Sequence, residues 1–179
     1  MISTFLVAHP WLTTVALVAC LVGGPLVAVA LLHRRRAALL LGVAAVVPVV
    51  VLTLTPASAG PTGIACAAEW SLPTLGRVEL VANVVLFIPP TLLLAAAVRR
   101  PWLVVLIASA GSALVETAQA LLTVLHRACS TNDWATNTLG ALVGATIAAA
   151  VLYATRGQAP ATPSGDAAEA RSPARADQG

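Results

Sequence analysis

Long, unbroken runs of alanine, valine and leucine are the feature that most limits how this chain can fold. Several of these runs approach the roughly 20 residues that a helix needs to cross the hydrocarbon core of a bilayer. Backbone polar groups inside lipid must be satisfied within the protein, so the spans are helices unless alternating strands close into a barrel. The runs show no two-residue alternation, and a mean hydropathy of +0.91 is too high for a soluble globule of this size. The sequence therefore predicts an all-α integral membrane protein.

About five transmembrane helices are expected. Their predicted ranges are 10–32, 37–54, 79–98, 102–125 and 134–153. Internal prolines predict kinked spans, because each removes a helical hydrogen-bond donor. We expect the first span to be retained and not cleaved as a signal peptide, since no positive residue precedes it and its apolar run is long. The chain thus divides into a transmembrane domain over 1–156 and a tail over 157–179, which is expected to be disordered because it lacks large apolar residues.

The arginines predict the orientation of these helices. Loops 33–36 and 99–100 together with Arg156 place six arginines on one side, whereas the opposite loops hold only Arg77 and Arg127. Because positive residues mark the cytoplasmic side, we expect the N-terminus outside and the C-terminus inside. The ten basic residues are all arginine, a bias typical of GC-rich coding, which favours a bacterial plasma membrane. No stacking aromatics are interleaved with the arginines, so nucleic acid is not an expected partner.

Polar side chains inside the apolar spans indicate a shared site near the outer boundary. Glu79 and Asn83 lie one turn apart in the third span, as do Asp133 and Asn137 in the fifth. The fourth span carries a polar stripe at steps of three and four residues, formed by Ser109, Ser112, Glu116, Gln119 and Thr123. At a rise of about 1.5 Å per residue, Glu116 is expected roughly 15 Å below the outer boundary. We expect the polar residues of the three helices to converge in the outer half of the membrane.

Two interpretations of this cluster are open. In the first, the side chains only hydrogen-bond across helices and hold the bundle together, at about 0.6 kcal/mol per bond. In the second, they line a polar pocket that opens to the outside. A charged side chain near the bilayer centre costs about 2.5–3.5 kcal/mol. A glutamine would bond as well as Glu116 without that cost, so Glu116 favours the pocket.

In the pocket interpretation, Glu116 is the functional centre. Its expected immediate partners are Gln119, Asn83 and Asn137. Arg127 and Asp133 are expected to form a gate at the outer boundary. Asp133 begins the fifth predicted helix, where a carboxylate can accept from free backbone N–H groups. Arg127 can reach the lipid headgroups or pair with Asp133 or Glu79.

Two cysteines fall in outer loops under the predicted topology, whereas Cys20 lies within the first span. Disulfides persist on the outer side of the plasma membrane, so we expect a bond between Cys66 and Cys129. The alternative is two unpaired small residues. A bond would require Cα atoms within about 7 Å of each other.

Three motifs resemble the VanZ-like family of small bacterial membrane proteins: "NVVLFIPPTLLL" at 83–94, "ETAQ" at 116–119 and "R…NDWATNTLGALVG" at 127–144. The matching positions are Asn83, Phe87, Pro89, Glu116, Gln119, Arg127, Asp133, Asn137, Gly140 and Gly144. The resemblance covers about residues 79–150. The chain departs from the family pattern at Pro90-Thr91, where Leu-Gly is usual, and at Ser130 and Asn132, where acidic residues are common. Gly140 and Gly144 form a GxxxG pair, which predicts close packing against another helix of the same chain.

The family is named for a teicoplanin-resistance accessory protein, so the resemblance implies a role in the cell envelope. That role would include reduced access of glycopeptide antibiotics to surface precursors. The expected partners are membrane lipids and a lipid-linked cell-wall precursor or a glycopeptide, and a homo-oligomer is possible.

Two other classes of function are weighed against this one. An enzyme is not expected, because His126 beside Cys129 and Ser130 is the only histidine near the cluster and no HExxH motif, nucleophile elbow or ligand-spaced set of histidines and cysteines is present. No cofactor and no metal are expected. The alternative function is a small proton-coupled transporter or a flippase component, since a mid-membrane glutamate is a common element of proton relays. The absence of a visible inverted repeat counts against a self-contained transporter.

Overall fold

The computed structural model describes residues 8–57, 60, 63–74 and 76–156. Within this part of the chain, five helices are long and apolar enough to cross a membrane, as predicted. They are α1 (Trp11–Leu31), α2 (Arg35–Leu54), α3 (Val78–Val98), α4 (Pro101–Leu121) and α5 (Thr131–Arg156). The predicted kinking prolines Pro25, Pro48, Pro89 and Pro90 all lie inside these helices. The tail over 157–179 lies outside the described residues.

The third helix is the centre of the bundle. α3 packs against α5 most extensively, then against α2 and α1, and least against α4. Of the membrane-spanning window of α3, 50% is buried, against 11% for α1 and 17% for α2. Ile88 is completely buried and Phe87 and Leu92 are nearly so, which places the core along the middle of this helix. The two N-terminal helices therefore leave most of their apolar surface to lipid.

Two glycines allow α5 to lie directly on the backbone of α3. A Cβ atom added at Gly140 would clash with the carbonyl oxygen of Val84. One added at Gly144 would clash with the Thr91 hydroxyl and approach the Ile88 carbonyl oxygen. Small residues permit such close approach between membrane helices. The GxxxG pair thus forms an intrachain contact, as predicted.

The connection between α4 and α5 differs from the predicted boundaries. α4 ends at Leu121 and not at residue 125, because Leu122 leaves helical backbone angles and a 3₁₀ turn follows over Thr123–Leu125. α5 begins at Thr131, three residues before its predicted start. Its N-cap is Ser130, whose Oγ accepts a hydrogen bond from the Asp133 N–H at 3.2 Å. Polar residues fill this first turn, so hydrophobic periodicity did not reveal it.

Two short strands add a feature that the all-helical prediction did not contain. β1 (Cys66–Ala67) and β2 (Cys129–Ser130) pair in parallel, with Cys66 opposite Cys129. Strands of two residues are too short to produce a sequence pattern. The two cysteines form a disulfide with their Cα atoms 4.5 Å apart, within the range that the predicted bond requires.

The disulfide joins the loop before α3 to the segment before α5. We call the described residues 63–72 and 126–131 the cap. Hydrogen bonds connect its two halves to each other and to α5. They include Cys129 N–H to the Ala65 carbonyl (3.0 Å), Ser71 N–H to Asn132 Oδ1 (2.7 Å), and Thr131 Oγ1 to the Glu69 carbonyl (2.7 Å). The cap covers the end of the bundle where α2 and α4 end and α3 and α5 begin. We call this the cap end.

Candidate functional site

The predicted central carboxylate lies directly beneath the cap. Glu116 is in the second-last turn of α4 and is 8% exposed. Its Oε2 accepts a hydrogen bond from the Ser130 backbone N–H at 2.7 Å. Ser130 pairs in the short sheet and follows the disulfide-bonded Cys129, so the cap itself holds the carboxylate.

One turn deeper, an amide and a hydroxyl join α4 to α5. Asn137 Nδ2 donates to Ser112 Oγ at 2.9 Å, and both side chains are buried. The other polar atom of this amide, Asn137 Oδ1, is buried without a hydrogen-bond partner in the described part of the chain. Buried polar atoms in folded proteins nearly always have a partner, so this carbonyl requires an explanation.

Asn83 and Asp133 connect α3 to α5 at the same level as Glu116. Asn83 Nδ2 donates to Asp133 Oδ1 at 3.0 Å, and both residues are half-buried. Asp133 lies in the first turn of α5, as expected from its place near the helix start. It is not the capping residue, however, because Ser130 accepts the free backbone N–H. Its carboxylate still complements the positive end of the helix dipole.

The structure places two predicted site residues against α2 and not against Glu116. Gln119 is buried, and its Nε2 donates to the Thr53 carbonyl at 2.7 Å. Arg127 Nε donates to the Thr55 carbonyl at 2.9 Å, and its Nη2 donates to the Leu52 carbonyl at 3.2 Å. A cation that binds the last carbonyls of a helix satisfies free acceptors and complements the negative end of the dipole. Arg127 therefore connects the end of α2 to the cap. The hydrogen bonds of its guanidinium group go to these carbonyls and not to Asp133 or Glu79, the two partners that the sequence suggested.

Glu79 is the predicted residue that contributes least to the cluster. It lies in the first turn of α3, its side chain is exposed, and it makes no side-chain hydrogen bond to the described residues. Thr123, the last position of the predicted stripe, is also exposed, because the helix ends before it. The stripe therefore ends earlier along the chain than its spacing indicated.

Asn132 was not among the predicted site residues, but it is buried and connects the cap to α5. It is 6% exposed, and its Oδ1 accepts from the Ser71 N–H. Thr136 Oγ1 donates to the Asn132 carbonyl at 2.8 Å and is buried as well. The sequence signal was the density of polar residues in "STND", which marks Asn132 as well as it marks Asp133.

Two cavities lie away from this cluster. One is an apolar groove between α1 and α3 that borders Gly23, Gly24 and Leu92, and the other borders the arginine-rich turn 33–37. Neither borders Glu116, Asp133 or Asn137. Among the described residues, no group of three or more His, Cys, Asp or Glu side chains is arranged to hold a metal ion. The open pocket stays a prediction.

Comparison with known proteins identifies a family. The family model described as VanZ/LLP1 matches residues 11–153. The matched range includes α1 and α2, where the sequence motifs had given no support. No curated protein and no solved structure matches the chain.

Proposed function

The chain belongs to the VanZ/LLP1 family of membrane proteins, and from this we propose that it acts in the cell envelope and lowers susceptibility to glycopeptide antibiotics of the teicoplanin type. The support for the antibiotic class is the family name. The support for a site on this chain is Glu116, a carboxylate that is buried in a membrane-spanning helix and held by the cap. Intramembrane ionisable residues are rare and are usually functional. The proposed partner is a lipid-linked cell-wall precursor or a glycopeptide, within surrounding membrane lipids.

We place the cap end outside the bacterial plasma membrane and the C-terminus inside. The disulfide supports this orientation, because disulfides persist in oxidising compartments. The arginine-rich turns 33–36 and 99–100 support it as well, since they lie at the opposite end of the bundle. In this orientation the cluster around Glu116 faces the outer leaflet, where cell-wall precursors and glycopeptides meet.

Cysteine labelling tests the orientation. Gly63 has open space around it, and His33 is exposed at the other end of the bundle. A membrane-impermeant maleimide should label Gly63→Cys in intact cells, and it should label His33→Cys only after the membrane is permeabilised. The unsubstituted chain is the control, because it has Cys20 inside α1 and its other two cysteines bonded. Labelling of His33→Cys in intact cells would reverse the proposed orientation.

We further propose that the site binds its ligand without catalysis. The Ser112 hydroxyl is paired with the amide of Asn137, which cannot act as a general base. The Ser130 hydroxyl accepts a backbone N–H as a helix cap. Both serines of the cluster therefore have structural partners and lack the adjacent base that activates a nucleophile.

Glu116→Gln separates a functional site from a structural one. A glutamine oxygen can still accept the Ser130 N–H, so the variant keeps the shape and the hydrogen bond and loses the charge. We expect the strain that carries this variant to have about the antibiotic susceptibility of a strain in which the gene is deleted. The measurement is the inhibitory concentration of a panel of envelope-active antibiotics, with the unsubstituted chain re-expressed in the deletion strain as reference.

The matched control is Glu69→Gln, the same change in an exposed residue of the cap whose carboxylate makes no hydrogen bond to the described residues. Its susceptibility should equal that of the unsubstituted chain, and membrane insertion of both variants should be normal. Full activity of Glu116→Gln would mean that the cluster is architectural and that the proposed site is wrong.

A further inference from the structure

The cluster beneath the cap contains hydrogen-bond acceptors that the protein does not use. Asn137 is 4% exposed, and its Oδ1 has no partner among the described residues. A buried acceptor without a donor is unfavourable, because it has lost its hydrogen bond to water. This cost is removed where a bound group donates a hydrogen bond to the acceptor.

Two carboxylates provide further free oxygens about one helical turn from this carbonyl. Glu116 accepts only the Ser130 N–H, through Oε2, and Asp133 accepts only the Asn83 amide, through Oδ1. The second oxygen of each carboxylate receives no hydrogen bond from the described part of the chain. Asp133 is one turn before Asn137 in α5, and Ser112, the partner of Asn137, is one turn before Glu116 in α4. Each carboxylate is therefore one helical turn from a member of the Asn137–Ser112 pair, on the side of the cap.

Arg127 does not fill the site. The charge of Arg127 acts on both carboxylates from a distance. Its N–H groups, however, donate to the carbonyls of Leu52 and Thr55 at the end of α2. The site is thus rich in acceptors, and Arg127 donates to none of their free oxygens.

We infer that this site binds a primary ammonium group. An ammonium carries three N–H donors and one positive charge, and it matches the three free oxygens of Glu116, Asp133 and Asn137. The nitrogen is the only heavy atom of an ammonium group, so the group needs little space at a site that neither described cavity borders. Bonds to charged partners are about twice as strong as bonds between neutral groups. This inference rests on the proposed function, because it names the ligand class of the same site. The ammonium comes from an aminophospholipid headgroup or from an amine-bearing molecule of the outer aqueous phase.

The test is the thermal unfolding of the purified chain in phosphatidylglycerol nanodiscs with ethanolamine or choline. The two compounds differ in the methylation of the nitrogen, so choline has the charge without the N–H donors. At about ten times its dissociation constant, ethanolamine should raise the midpoint by roughly 3–6 °C. Choline at the same concentration should raise it by less than about 1 °C. Equal shifts with both amines, a shift with Mg²⁺ or Ca²⁺ alone, or no shift at all would overturn the inference.

Two variants assign the effect to the site. Glu116→Gln and Asp133→Asn each remove a charge and keep an oxygen for the bond to Ser130 or Asn83. Each should abolish the ethanolamine shift with little change in its own midpoint, whereas Glu69→Gln should keep the shift. If Asp133→Asn fails to fold, Glu116→Gln alone decides, since its oxygen contact is with backbone. Persistence of the full shift in Glu116→Gln would exclude this site.

The lipid composition distinguishes the two sources. If phosphatidylethanolamine in the nanodisc raises the midpoint and removes the response to free ethanolamine, the ligand is a headgroup. If the response persists in those discs, the ammonium enters from the aqueous phase.

The binding result is also separable from the host phenotype. If antibiotic susceptibility depends on Glu116 but ethanolamine does not bind, only the inferred ligand class is wrong. If ethanolamine binds but Glu116→Gln leaves antibiotic susceptibility unchanged, only the proposed function is wrong.

Discussion

Replacing Gly140 by valine should destabilise the helical bundle by about 3 kcal/mol, the upper part of the usual range for overpacking a tight contact. A side chain at this position would clash with the Val84 carbonyl oxygen, which is backbone and cannot rotate away. Relief would require α5 to move off α3, the helix that contacts every other helix of the bundle. The measurement is the loss of folded protein during titration with a denaturing detergent.

Gly111→Val is the matched control. Gly111 is also inside a membrane-spanning helix, but no atom lies within 4 Å of the position where its Cβ would stand. Its variant should change stability by less than about 0.5 kcal/mol. Equal losses for the two substitutions would show that the effect comes from valine in a helix and not from contact between α5 and α3.

Removal of the Cys66–Cys129 disulfide should cost up to about 4 kcal/mol. The bond closes a loop with a sequence separation of 63, and constraint of the unfolded chain by a loop of this length gives that value. It is an upper limit here, because α3 and α4 stay in the membrane on unfolding and already restrict the loop. The double variant Cys66→Ser/Cys129→Ser is compared with the oxidised chain in the same detergent titration.

Cys20→Ser is the control for the loss of a cysteine as such, since Cys20 is a free thiol in α1. Its stability should match that of the unsubstituted chain. A double serine variant that is as stable as the oxidised chain would contradict the predicted contribution of the bond to the cap.

The hydrophobic pattern of the sequence predicts most of the fold, but it does not predict the end of α4 or the start of α5. Apolar runs identify a span because burial in lipid acts on about 20 residues together. The end of α4 depends on one residue, Leu122, which leaves helical angles although it is as apolar as the residues before it. The start of α5 depends on the cap formed by Ser130, a local hydrogen bond within a polar segment. Local bonds of this kind are invisible to a periodicity of apolar residues.

The candidate site, like the fold, was predicted only in part from the sequence. The helical spacing of Ser112 and Glu116, and of Asp133 and Asn137, correctly places these residues on facing stripes, because that spacing is a property of one helix at a time. The partner of Arg127 could not be read from spacing. It depends on how α2 ends beside the cap, and the carbonyls of Leu52 and Thr55 that accept its bonds are backbone atoms without a sequence signature.

The unequal burial of the helices has a consequence for biogenesis. Domains form in the order in which the ribosome delivers the chain. The most exposed pair, α1 and α2, emerges first and can remain in lipid without partners. α3 follows and offers the surface on which the rest assembles. α4 then enters the bilayer with Glu116 and Ser112 before the cap has supplied Ser130 and α5 has supplied Asn137. α4 therefore lacks its polar partners until the segment after it is made, and the last span to leave the translocon completes the polar centre.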